Sequence, residues 1–145
     1  MQGRQYTQKP LFVDGDLEKF VPKNHLLRKV NKLINLGFIY DLTQPYYAGK
    51  GRPSLDPVVF FKMQLISYLF GISSDRRLCD EIQCNIAYRW YLGYPLDQST
   101  PTHSTLTRVR DRLGLKVYKE VFDKIVKDCQ DAGLIEGHQI ITDHT

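Results

Sequence analysis

Residues 103–113 read His103-Ser-Thr-Leu-Thr-Arg-Val-Arg-Asp-Arg-Leu113 and hold the densest set of groups able to grip a polyanion. Leu106, Val109 and Leu113 recur at helical spacing and make one narrow apolar stripe. His103, Ser104, Thr105, Thr107, Arg108, Arg110 and Arg112 fall outside that stripe. Such residues suit a helix presented to a DNA groove. Hydroxyls and the free amides of a helix start bind phosphate oxygens, and arginine pairs bidentately with guanine edges. The stretch is short and follows a turn, as the second helix of a helix-turn-helix does. A solvated amphipathic helix with three surface arginines has the same pattern, so the residues by themselves leave both readings open.

Smaller basic clusters stand elsewhere. Arg76 and Arg77 open another predicted helix, where cations oppose the helix dipole by about 0.3–1 kcal/mol. A bound phosphate relieves that opposition, and so does a neighbouring carboxylate of Asp75, Asp80 or Glu81. Lys50 and Arg52 lie in a Gly- and Pro-rich loop that fits along a DNA backbone. Trp90 and Tyr91, although interleaved with Arg89, fit core packing better. Asp143 is the one carboxylate with a sharp catalytic reading. It ends a β-like run, Ile140-Ile-Thr-Asp143, and a strand-end carboxylate is where two-metal phosphoryl-transfer sites place a ligand. A single carboxylate cannot build such a site, and a surface Asp near a chain end has the same look. His25, His103, His138 and His144 show no metal-ligand spacing. Cys79, Cys84 and Cys129 show neither disulfide nor zinc spacing and sit in apolar-periodic stretches, so they are expected to be buried free thiols.

The elements that must position these groups are helical. Residues 1–21 are read as an extended arm. Pro22 and Asn24 introduce a helix through Leu26, Leu27, Val30, Leu33 and Ile34 that Gly37 ends. Residues 41–54 are read as a loop. Asp56-Pro57 starts a helix over about 57–70 that is apolar nearly all round, the mark of a central core helix. Ser73 or Ser74 caps a helix over about 75–84, and Asn85 caps another over 86–92. Thr102 caps residues 103–113, which Gly114 closes, and a long helix follows over about 115–132. The fold class is therefore all-α: a multi-helix bundle with a helix-turn-helix-like element. The domain reading is an arm at 1–21, a helical domain at 22–133, and from 134 to 145 the start of another domain that opens with a β-strand.

The 145 residues are 42% apolar and 25% charged, a globular composition. No apolar run approaches the ~20 residues needed to span a bilayer, and the polar start lacks a signal region, so no membrane association and a cytoplasmic location are expected. The net charge of +4 is uneven. Residues 1–36 carry seven Lys/Arg against three Asp/Glu, whereas residues 114–145 carry four against six. The positive excess lies at the front, as a polyanion partner would require.

Several segments in order resemble the InsH-type N-terminal domain of insertion-sequence transposases. They are Gly51-Arg-Pro-Ser-Leu-Asp-Pro57, Tyr68-Leu-Phe-Gly-Ile-Ser-Ser74, Arg76-Arg-Leu78 and Asn85-Ile-Ala-Tyr-Arg-Trp-Tyr-Leu-Gly93. Pro101-Thr-His-Ser-Thr-Leu-Thr-Arg-Val-Arg110 is similar to the family's D-H-S-T-L-S-R-F-R segment, with Pro-Thr in place of the acidic lead-in. The resemblance spans about residues 10–145. It implies a helical domain that binds double-stranded DNA at the element's terminal inverted repeats. An RNase H-like DDE catalytic domain that uses Mg²⁺ would follow, and residues 134–145 would be the start of that domain. By the resemblance Asp143 matches the first acid of the triad and would ligate metal only in a full-length enzyme. The sequence stops two residues later, so no cofactor and no catalysis are expected of this chain alone. Two alternatives stay open: a helical module that forms homo-oligomers or joins full-length transposase, with the helix at 57–70 and the aromatic segment 88–94 as its exposed patch, and a fragment with no role.

Overall fold

The computed structural model describes residues 17–47 and 55–135. Lys50, Arg52, the expected strand at 138–143 and Asp143 lie outside the described residues. Among the described residues six helices follow in order: α1 (Leu26–Leu33), α2 (Phe38–Thr43), α3 (Pro57–Phe70), α4 (Asp75–Cys84), α5 (Ile86–Leu92) and α6 (His103–Asp131), with a 3-10 turn at Gln44–Tyr46 after α2. No strand occurs among the described residues, and the class is all-α.

α3 is the central helix. Asp56 caps it, its Oδ1 accepting the Val58 N–H at 2.7 Å, and Pro57 takes the first helical position, where a missing N–H costs nothing. Phe60, Phe61, Met63, Leu65 and Ile66 are wholly buried. They face α2, α5 and α6, which pack around α3. Gly71 ends it in the left-handed region at φ +66°, and the Ile72 N–H returns to the Ser67 carbonyl. Burial of α3 removes the exposed patch expected of it, and Tyr91 and Leu92 of the aromatic segment are buried too.

Ser74 caps α4 and Asn85 caps α5, each side-chain oxygen accepting an N–H of the first turn. Thr102 caps α6 in the same way. α6 breaks at Gly114, whose φ of +78° and ψ of 160° fall in a region that only glycine occupies comfortably. The break separates residues 103–113 from the rear half, whose Val121, Ile125 and Cys129 join the core.

The front of the chain departs from expectation. α1 stops at Leu33, its cap is His25, and Ile34 is already extended. α2 was not foreseen; Ile39 and Thr43 anchor it in the core. Leu17 and Val21, assigned to an extended arm, are buried. Arg28 accounts for that, donating to the Glu18, Val21 and Pro22 carbonyls and pairing with the Glu18 carboxylate. Cys79 and Cys129 are buried free thiols, and burial raises both to about 11. Cys84, expected to be buried, is exposed because it follows the inward Leu78–Ile82 stripe by two residues.

Candidate nucleic-acid interface

The arginines of the front half of α6 divide between two sides of the helix. Arg110 turns inward. Its Nη1 donates to Asp75 Oδ2 at 2.8 Å and its Nη2 to Asp75 Oδ1 at 3.2 Å, a bidentate pair that ties α6 to the first turn of α4. Nη2 also reaches Gln64 Oε1 of α3 at 3.3 Å, and that oxygen accepts the Tyr118 hydroxyl at 2.8 Å. The guanidinium lies 5.9 Å from the ring centres of Phe60 and Tyr118. Hydrogen bonding to Asp75 pushes the Arg110 pKa up, against the opposing effect of burial. Arg110 is thus part of the joint between three helices rather than of an open surface.

Arg108 and Arg112 take the other side. Arg108 is exposed and among the described residues reaches only the Thr105 hydroxyl, at 3.3 Å. Arg112 is exposed and its guanidinium lies 5.2 Å over the Tyr47 ring. Ser104 is exposed, while His103 and Thr105 are half-buried at the helix start. The Thr105 N–H goes to the Thr102 cap at 3.4 Å, and the exposed Thr107 donates its hydroxyl back to the His103 carbonyl. These hydroxyls keep lone pairs but spend donors on their own helix.

α4 presents the second basic cluster. Arg76 and Arg77 are exposed; Arg77 pairs with Glu81 at 2.8 Å one turn on, and among the described residues no hydrogen bond or ion pair holds Arg76. α4 meets α3 at 96° across the four residues 71–74. Residues 93–102, by contrast, separate α5 from α6. The two basic clusters read from the sequence thus stay on separate helices, α4 and α6, and the Arg110–Asp75 pair bridges the two.

Two structural arginines escaped the sequence reading. Arg28 clamps the Glu18–Pro22 segment and lies 4.7 Å over the Trp90 ring. Arg89 is 7% exposed and donates to the carbonyls of Gln83, Pro95 and Gln98. The available signal was position: Arg89 stands among Tyr88, Tyr91 and Leu92, in a stretch too apolar to leave it in water.

Among the described residues no group of three His, Cys, Asp or Glu side chains could hold a metal ion. The described carboxylates therefore do not assemble a Mg²⁺ site. No single described helix is long and apolar enough to cross a membrane.

The family described as Transposase domain (DUF772) matches residues 15–112 of the chain. Neither a curated protein nor a solved structure shows significant similarity to the chain.

Proposed function

The chain belongs to the Transposase domain (DUF772) family, and from that premise we propose that it is the DNA-binding N-terminal part of an insertion-sequence transposase, recognising the terminal inverted repeats of its element. The observation that carries the reading is the exposed arginine pair on capped helices, Arg76 on α4 and Arg108 on α6, both inside the matched residues. Guanidinium groups held on rigid helices bind phosphates and base edges with little ordering cost.

By the resemblance to InsH-type proteins, Lys50 and Arg52 add backbone contacts, and Asp143 supplies one acid of a DDE site that works with Mg²⁺ in the full-length enzyme. Strand cleavage belongs to that enzyme. The role of the residues described is to hold the DNA.

Titration of fluorescent duplex at several salt concentrations tests this. Binding should weaken with a log–log slope of about −0.9 for each phosphate contacted. A duplex carrying the element end should outcompete a scrambled one, and equal affinity for both would sink end recognition.

A second reading, self-association, draws on Leu33 and Tyr40, which are 54% and 50% exposed and border one surface pocket beside α1. Sedimentation as a strict monomer, with no association to full-length transposase, would count against it.

A further inference from the structure

We propose that α3 and α4 form a helix-turn-helix and that α4, not the front half of α6, is the helix that enters the major groove. The inference rests on the DNA-binding reading above and says which element reads sequence.

A helix-turn-helix joins two helices at about 90–120° through a turn of about 3–4 residues, often with a glycine. α3 and α4 meet at 96°. The turn is Gly71-Ile72-Ser73-Ser74. Gly71 adopts the left-handed conformation that lets α3 end sharply. Ile72 is 3% exposed and pins the turn to the core, and Ser74 caps α4. No such turn precedes α6, since residues 93–102 intervene.

α4 is also sided as a groove helix must be. Leu78, Cys79 and Ile82 are buried. Arg76, Asp80 and Gln83 are all exposed. Spaced at i, i+4 and i+7, they share one outward stripe. Each type complements a different base edge: arginine the O6 and N7 of guanine, a carboxylate the N4 amine of cytosine, glutamine the N6 and N7 of adenine. α4 is not a general cation surface, because Asp75, Asp80 and Glu81 outnumber Arg76 and Arg77. A helix of that charge gains little from phosphates and suits base reading. The Asp75–Arg110 pair fixes its first turn against α6. Arg108 lies on the far side of α6 from Arg110, about 200° round the helix from it at 100° per residue.

The test uses the 145-residue chain and the duplex it enriches from a randomised pool. The readout is the ratio of affinities for the enriched and a scrambled duplex. Two variants are compared, R76A/Q83A in α4 and R108A/R112A in α6. Circular dichroism and thermal melts check that both variants keep the wild-type fold, all four positions being exposed. The α4 variant should lose roughly 5- to 150-fold of the ratio for each base contact removed. The α6 variant should keep the ratio, with affinity for both duplexes falling together or unchanged. A ratio that survives in the α4 variant, or collapses in the α6 variant, overturns the assignment. Wild-type binding without any sequence preference also overturns it while leaving DNA binding intact. A wild-type chain that binds no duplex overturns both readings.

Discussion

Arg108 and Arg110 stand two residues apart on one helix and do opposite things. Arg110 lies over the Asp75 carboxylate, the Gln64 amide and two aromatic rings. Among the described residues Arg108 reaches only a threonine hydroxyl of its own helix. Arg28 and Arg89 side with Arg110: both are held by backbone carbonyls of neighbouring turns. Arg76 sides with Arg108. An arginine's worth to a nucleic acid therefore depends on whether a fold joint has already taken its five donors.

This division is open to measurement, and the inward arginines should give the larger effects on stability. Arg89→Ala leaves the Gln83, Pro95 and Gln98 carbonyls without their donor, and should cost about 3 kcal/mol and lower Tm by roughly 10 °C. A melt unchanged from wild type would refute its role. Arg110→Ala should cost about 2 kcal/mol, less than a fully buried pair, because water screens side chains that remain 36% and 31% exposed. A double-mutant cycle with Asp75→Asn isolates the pair, and additive losses would show that the two groups do not interact.

Gly114→Ala tests what separates the two halves of α6. At φ +78° a side chain is strained although open space surrounds it. The cost should be about 1–2 kcal/mol by denaturant titration. No loss would mean that the break is not needed to set the rear half on the core.

His25 belongs with the inward set. Its Nδ1 accepts the Leu27 N–H as the α1 cap, and burial, helped by Arg28, holds its pKa below the ordinary 6.5. That contribution is complete above pH 6.5 and is lost as pH falls through the lower folded value. His25→Asn keeps a capping oxygen without a titrating group. The Tm difference between wild type and variant should be constant at alkaline pH and turn against wild type on acidification; a pH-independent difference would remove His25 from the account. Arg108→Ala should change stability least, by under about 0.5 kcal/mol.

Much of the helical frame was legible because its signals are local. Asp56-Pro57 and Gly71 bound α3, Ser74 and Asn85 cap α4 and α5, and Thr102 and Gly114 frame the front of α6. Each cap needs only a side chain or a glycine within a few residues. α2 was illegible for the converse reason. Gly37 offers no capping side chain, and six residues do not make a stable helix without the core that Ile39 enters. Leu17 and Val21 looked like arm residues because the Arg28 clamp that draws them in comes several residues later.

The sequence by itself determined the all-α class, the central place of α3 and the chemistry on offer: arginines and hydroxyls on short capped helices. Those follow from periodicity and capping, which act over one or two turns. Only the tertiary structure decided which arginines face water and which two helices meet at 96° across a short turn. The angle between α3 and α4, and the contact of Arg110 with Asp75 across 35 residues, arise from packing between distant segments. Helical periodicity assigns a residue to a side of its own helix, but it does not say what stands opposite.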